Sequence, residues 1–296
     1  MSQSPFFSII IPTYNRQKLI ADTISSVLNQ TFSDFEIIIV DDGSTDNTKT
    51  FIEKTFQDKV RLVSIPNSER GKARNTGTAI AKGKYIYFLD SDDLIYRTHL
   101  QEAFSFIQNH NQPEWIFQEY EFLNKLTRRK SPIQYDRETA IKSLVSEGNF
   151  MSCHGVFLRK DIADAHPFEE NREMAGSEDY ALWLRLAARY PLLINHKVTS
   201  ALVQHDDRSV FNFAPEKLIK RKELMLKTVL DDKEVQSQFG TFMPALKSNT
   251  YSYISLHLAM IKSKRRSISY FIKSLKASPG SILNRRSRAI LKHLIS

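Results

Sequence analysis

Short apolar runs alternate with amphipathic stretches through the first half of the chain. Phe7 to Ile11 reads as a strand. Lys18 to Asn29 reads as a helix, because Leu19, Ile20, Thr23, Ile24, Val27 and Leu28 recur at helical spacing. Phe35 to Val40 predicts a buried strand and Thr45 to Phe56 a helix. Val60 to Ile65 and Tyr85 to Leu89 predict two more strands, with a helix from about Lys72 to Ala81 between them. Strand and helix alternating in this way predict an α/β fold, a Rossmann-like, mostly parallel sheet flanked by helices.

Each apolar strand stops abruptly in polar residues. Pro12-Thr13-Tyr14-Asn15 follows the first, Asp41-Asp42-Gly43-Ser44 the second and Asp90-Ser91-Asp92-Asp93 the fourth. Open α/β sheets bind ligands outside the carboxyl ends of their strands, so these segments are expected to share one crevice.

The middle is less regular. Trp115 to Phe122 predicts a strand, Lys125 to Lys130 a basic turn, and Met151 to Leu158 is a short apolar run around Cys153, His154 and Gly155. Asp179 to Arg189 predicts a helix, with Leu182, Trp183, Leu186 and Ala187 as its stripe. Glu178 and Asp179 sit at its start, where carboxylates complement the helix dipole. From Pro215 onward the pattern is helical. A boundary near residue 212 therefore separates a domain over 1–212 from a helical, basic C-terminal region over 213–296.

The 296 residues, 41% of them hydrophobic, supply a core and exclude general disorder. The charge changes the picture more. The chain carries 42 Lys and Arg against 33 Asp and Glu, but ten of the basic residues and none of the acids lie from Tyr251 onward. The body is close to neutral, and the surplus belongs to the tail. One cysteine, Cys153, permits no internal disulfide, which fits a reducing compartment. The N-terminal apolar run lacks a basic segment before it and ends at Pro12, so it reads as a strand and not as a signal peptide. No apolar stretch approaches the roughly 18 residues of a spanning helix. The expectation is a cytoplasmic protein, soluble or peripheral at the inner face of the cell membrane.

Asp90-Ser91-Asp92 places two carboxylates on one tight loop, a set that suits a hard divalent cation, Mn²⁺ or Mg²⁺, with bound phosphates and water. The same tripeptide also suits a solvated turn or a helix cap. Asp41 to Asp46 reads as a strand-to-helix turn, with Gly43 in a special conformation and Ser44 or Thr45 as cap. Carboxylates at that strand end would also serve a nucleobase N–H or a ribose hydroxyl. Gly71-Lys72-Ala73-Arg74-Asn75-Thr76-Gly77 adds two cations and small residues, which suits a diphosphate.

Together these segments resemble the family 2 glycosyltransferases of the GT-A fold. The likeness runs from residue 7 to about 210 through Ile11 to Asn15, Asp41 to Asp46, Gly71 to Gly77, Phe88 to Asp93, and Ser177-Glu178-Asp179-Tyr180 leading into Leu182-Trp183-Leu184-Arg185. The resemblance implies an inverting, metal-dependent transferase that takes a sugar from a nucleoside-diphosphate sugar, UDP by preference. It implies a nucleotide site from Pro12, Thr13, Tyr14, Asn15, Asp41, Asp42, Lys72, Arg74, Asp90 and Ser91. Asp41 would contact the base and Arg74 the base and phosphates. Asp90 and Asp92 would hold the ribose and the metal-bound diphosphate, with Asp92 the direct ligand. Asp179 would be the general base, with Glu178 its neighbour. In Gln204-His205-Asp206-Asp207-Arg208, His205 would complete the metal site. The implied acceptor is a glycan or lipid-linked hydroxyl of bacterial cell-envelope or exopolysaccharide synthesis.

A nicotinamide-binding enzyme or a nucleotidyltransferase would need glycines after the first strand, and Pro12-Thr13-Tyr14-Asn15-Arg16 has none. The different-class alternative is a non-catalytic carbohydrate-binding or scaffold protein, which Asp90, Asp92 and Asp179 argue against. The tail alternates Ile254, Leu258, Ile261, Ile268, Phe271, Ile272 and Leu275 with Lys and Arg, breaks at Pro279-Gly280 and resumes with Ile282, Leu283, Ile290, Leu291 and Leu294. Residues 251–296 are therefore expected to meet an anionic membrane surface, at about 1 kcal/mol per nearby charge, or to pack back on the catalytic domain. Nucleic acid is not an expected partner, because no binding motif accompanies the charge.

Overall fold

The apolar runs of the first half form strands, and the amphipathic stretches between them form helices. A computed structural model describes residues 4–124, 127–130, 137–205 and 214–295. The elements begin β1 (Phe7–Thr13), α1 (Ile20–Leu28), β2 (Phe35–Asp41), α2 (Thr48–Phe56), β3 (Arg61–Ser64), α3 (Arg70–Ile80) and β4 (Tyr85–Phe88). They continue with β5 (Leu94–Ile95), α4 (His99–Asn109), β6 (Trp115–Leu123), β7 (Arg128–Lys130), α5 (Arg137–Ser146), β8 (Val156–Arg159), α6 (Lys160–Ala165), α7 (Glu178–Ala187) and β9 (Leu193–Val203). The C-terminal helices are α8 (Pro215–Asp231), α9 (Lys233–Phe239), α10 (Met243–Met260), α11 (Lys264–Ala277) and α12 (Arg285–Ile295). The expected boundary near residue 212 lies outside the described residues.

Packing divides the chain into two units. The first comprises Met1–Gln134, Met151–Arg172 and Tyr190–Arg208; the second comprises Tyr135–Phe150, Glu173–Arg189 and Ser209–Ser296.

The first unit is one mixed sheet in the order β3-β2-β1-β4-β8-β6-β9-β5, with β7 on the edge of β6. β3, β2, β1 and β4 are mutually parallel. β8 is antiparallel to both β4 and β6, and β9 returns parallel to β6. β1 is buried at every position, as a strand covered on both faces should be. Pro12, which has no N–H to donate, follows the last β1–β4 pair, Ile10 with Phe88, so that ladder loses nothing to it. α3 packs close to the sheet because Gly77 has no side chain: a Cβ there would lie 2.5 Å from Ile10 Cγ2.

The strand order reverses between β1 and β4, since β2 and β3 lie to one side of β1 and β4 to the other. At such a switch point the following loops diverge and leave a crevice. The polar segments after β1 and β4 flank it.

The second unit is helical. α10 is its centre, touching α5, α8, α11 and α12. Its contact with α11 rests on small polar residues. Ser248 and Ser274 exchange hydrogen bonds, the Ser274 hydroxyl donating to the Ser248 carbonyl at 2.9 Å. Ser255 and Ser267 do the same, each hydroxyl donating to the other's carbonyl at 2.8 and 2.9 Å. Both pairs are buried, and each is separated from the other by seven residues on its helix. The small side chains let the backbones approach, and the reciprocal bonds satisfy the hydroxyls that closeness buries.

Candidate active site

The loops after β1 and β2 are stitched together by Asn15. Its backbone is left-handed, with φ of 51°. Its Oδ1 accepts from the Thr45 and Asp46 amides at 2.8 and 3.2 Å, and its own amide donates to Ser44 Oγ at 2.9 Å. Ser44 and Thr45 therefore do not cap α2, as their position predicts, because Asn15 takes both hydroxyls. The Thr48 amide at the start of α2 donates instead to Asp46 Oδ1 at 2.9 Å. Pro12 and Thr13 are buried beneath this loop, whereas the Tyr14 ring is 45% exposed.

Asp41 and Asp42 are both buried but do different things, since neighbouring strand residues point to opposite sides. Asp42 is fully engaged. Its Oδ1 accepts from the Ser68 amide at 2.6 Å and its Oδ2 from the Glu69 amide at 2.9 Å, which fixes the loop leading into α3. Burial still pushes its carboxyl above the usual range, against those two bonds. Asp41, the last residue of β2, accepts only a long bond, 3.3 Å from the Ser44 amide, among the described residues. Gly43 between this pair and the turn has φ of +73°, and a Cβ there would meet the Asn67 amide at 2.8 Å.

α3 delivers Arg74 and Lys72 in opposite ways. Arg74 is 1% exposed; its Nη2 donates to Asp90 Oδ1 at 2.7 Å and its guanidinium lies over the Phe168 ring at 5.1 Å. Burial alone would raise the Asp90 carboxyl, but the Arg74 and Arg70 guanidiniums hold it well below the usual range. Lys72 is at the surface, paired with Glu170 at 2.9 Å.

After β4 the acidic loop separates its duties residue by residue. Ser91 is buried. Asp92 Oδ2 meets Arg16 Nη2 at 3.3 Å and His205 Nε2 at 3.1 Å. Arg16 thus closes the switch-point crevice from the β1 side. His205 arrives from the end of β9, whose position is set by Asp93: the Val203 amide donates to Asp93 Oδ1 at 2.9 Å. Asp93 is wholly buried, and its other oxygen faces His154 Nδ1 at 3.1 Å. Asp206, Asp207 and Arg208 lie outside the described residues.

Behind this loop, His99 is buried with Nδ1 2.9 Å from Thr199 Oγ1 and 3.0 Å from Gln118 Nε2. Burial, aided by neighbouring His154, pushes the His99 imidazole down to about 3. Its folded value lies below the ordinary 6.5, so the unfolded chain binds the proton more readily. The stability from a neutral His99 is complete above pH 6.5 and is lost as pH falls toward 3, at up to ~1.4 kcal/mol per unit. Urea unfolding at pH 7 and pH 5 should show the parent losing about 2 kcal/mol more than His99→Gln. Equal losses would show that His99 does not titrate on unfolding.

The second unit holds the two remaining candidates. Glu178 is 2% exposed, and its Oε2 accepts from the Gly176 amide at 2.5 Å, tying the carboxylate to the turn before α7. Asp179 is half-buried; its Oδ2 accepts from Asn149 Nδ2 at 3.2 Å and its Oδ1 from the Tyr180 amide at 2.7 Å. Lys222 of α8 senses both carboxylates. Burial is the first cause that brings its ammonium down to about 8, with Asp179 and Glu178 opposing the fall. Lys222 is half-buried, with its ammonium over the Tyr253 ring at 4.8 Å.

Asp92 and His205 are the residues that fit a divalent cation. Together they offer a carboxylate oxygen and an imidazole nitrogen, and among the described residues nothing hydrogen-bonds the buried His205 Nδ1 in a way that would oppose Nε2 acting as ligand. Among the described residues no group of three or more His, Cys, Asp or Glu could enclose an ion. A cation here would take its other positions from diphosphate and water.

Arg16 and Asp93 carry much of this geometry without being singled out by sequence. No spacing rule links residue 16 to residue 92, or residue 93 to residue 203.

Comparison with known proteins places this crevice in context. The profile of "Glycosyl transferase family 2" matches residues 8–165, which takes in β1 to α6 and ends before Glu178. An uncharacterised glycosyltransferase of Rickettsia felis is 32% identical over 62% of the chain, which spans about 30% of that relative's length. The Escherichia coli UDP-Glc:alpha-D-GlcNAc-diphosphoundecaprenol beta-1,3-glucosyltransferase WfgD is 31% identical over 60% of the chain and 68% of its own. Among solved structures, Staphylococcus aureus TarS 1–349 in complex with UDP-GlcNAc superposes with a TM-score of 0.72 at 20% identity, over 97% of this chain and 89% of that one. The fold is that of the GT-A enzymes, and no described helix is long and apolar enough to cross a membrane. With the match covering more than half its length, from the first strand through the acidic loop, the chain belongs to glycosyl transferase family 2.

Proposed function

We propose that the protein moves a sugar from a UDP-sugar to a hydroxyl of a glycan or lipid-linked acceptor, with inversion and with Mn²⁺ or Mg²⁺, at the inner face of the cell membrane. The observation that carries this reading is the meeting of Asp92 with Arg16 and His205 beside the Arg74–Asp90 pair, at the sheet's switch point. A crevice with carboxylates and guanidiniums so placed suits a nucleoside diphosphate better than a neutral ligand. The UDP-sugars in the names of WfgD and of the TarS complex favour uridine as its base.

In this reading residues 1–212 are the catalytic domain and 213–296 a helical appendage. Asp41 accepts from the base, where its sparsely engaged carboxylate is available. Asp42 keeps the loop before α3 in place, and Pro12 to Asn15 form the wall against which the nucleoside lies. Asp90, held ionised by Arg74, accepts from a ribose hydroxyl. Lys72 adds positive potential at the mouth. Asp92 and His205 would hold the cation, which when bound supplies charge to the departing diphosphate. Asp179 takes the acceptor's proton as the hydroxyl attacks, and a single displacement inverts the anomeric carbon.

A sugar-nucleotide panel tests the reading. UDP and UDP-sugars should raise the melting temperature, more so with Mn²⁺, by the equivalent of ~2.7 kcal/mol at a hundredfold excess over Kd. A shift with GDP- or CMP-sugars and none with UDP would overturn the uridine assignment.

A further inference from the structure

We infer that the outward faces of α11 and α12 form a docking surface for an anionic lipid bilayer. Among the described residues the large apolar side chains left exposed are not scattered. Apart from Tyr14 they are Met260, Ile261, Ile268, Ile272, Ile282, Leu283, Leu291 and Ile295, with Leu283 at 81% and Ile295 at 85% exposure. All fall within the stretch that carries ten Lys and Arg and no acid.

The helical geometry explains how they come to be outside. α11 buries Ser267, Phe271 and Ser274. The opposite face runs Arg265, Ile268, Ile272, Lys276, at the i, i+3, i+7, i+11 spacing of one stripe. α12 buries Ser287 and Ile290 and turns Arg288, Leu291, Lys292 and Ile295 outward. A water-facing helix surface should be polar. Here isoleucine and cation share the same outward stripe, which suits an interfacial helix whose apolar side chains enter the acyl boundary while long basic stems reach back to headgroups.

The charges point to lipid and not to another protein surface. Arg266 and Lys273 turn toward α8, where Glu216 and Glu223 receive them at 2.8 and 3.7 Å. Lys262, Lys264, Arg265, Lys276, Arg288 and Lys292 make no ion pair among the described residues. Lysine is depleted in protein interfaces. A second copy meeting this face about a two-fold axis would set cation against cation. Anionic headgroups are the complementary partner.

Vesicle co-sedimentation tests this without turnover, so it succeeds or fails separately from the donor and acceptor reading. Phosphatidylcholine vesicles containing phosphatidylglycerol should carry the protein down at low salt, and phosphatidylcholine vesicles should not. Ile268→Ser with Ile272→Ser should weaken that binding about tenfold or more, and Arg265→Gln with Lys276→Gln should do likewise. These sites are exposed, and an unchanged melting temperature confirms that each pair of substitutions leaves the fold intact. Deleting 251–296 is the poorer test, because it removes most of α10. No binding to the anionic vesicles, or parental binding by both variants, would overturn the inference. So would a dimer that the isoleucine substitutions dissolve, since it would give the face to a second copy.

Discussion

Asp179→Asn is expected to lower sugar transfer by about 10²–10⁴-fold, the usual contribution of a positioned general base. The amide has the same shape, and its single carbonyl oxygen can keep one of the two bonds, from Asn149 or from the Tyr180 amide, so the loss falls mainly on proton acceptance. UDP binding, read as thermal stabilisation, should be unchanged, and the acidic limb of the pH–rate profile should disappear. Glu178→Gln provides the contrast. The Glu178 carboxylate is buried and already accepts from the Gly176 amide, so its substitution should lower the melting temperature while leaving kcat within a few-fold. Near-normal turnover in Asp179→Asn would move the base elsewhere.

Asp92→Asn should have a comparably large effect through a different quantity. The substitution keeps the side chain's shape but removes the charge that meets Arg16 and His205. A missing transition-state contact of this kind costs about 10²–10³-fold in kcat. The distinguishing result is that Mn²⁺ should no longer strengthen UDP binding, whereas the parent should show that enhancement. His205→Asn should weaken Mn²⁺ dependence in the same direction. If Asp92→Asn retains the full Mn²⁺ enhancement, the cation site is not here.

Much of the proposed nucleotide side of this site is legible in the sequence because its logic is local. A strand that ends in acids places them at a sheet edge, and three such ends in an α/β alternation converge by topology. Which of two adjacent acids is available is not local. Asp41 and Asp42 have the same composition, and only the loop at Asn67 to Glu69, folded back over one of them, assigns Asp42 to scaffolding. Arg16 and Asp93 are illegible for the same reason, since their partners are more than 70 residues away in the chain.

Among the elements, β9 escapes periodicity because exposed His196 and Lys197 interrupt it and its pairing with β6 shifts register between Gln118 and Tyr120. α4 lies outside the elements that the sequence pattern predicts, although Leu100, Ala103 and Ile107 fall at helical spacing. Its first residue, His99, is a buried polar group whose partners come from β6 and β9, which no short window reveals. The tail shows the converse. Its alternation of apolar and basic residues is plain in the sequence, but which residues face inward depends on α10.

The two reciprocal serine pairs between α10 and α11 bear on that orientation. They act as a rotational lock. Rolling α11 about its axis far enough to hide Ile268 or Ile272 would pull both pairs apart at once and strand four hydroxyls in a dry interface, each at a cost of about 1–3 kcal/mol. The isoleucines are therefore held outward by polar bonds on the far side of their own helix. Only replacing the serines of both pairs would remove that lock, making display of the stripe a property of serines that no partner ever touches.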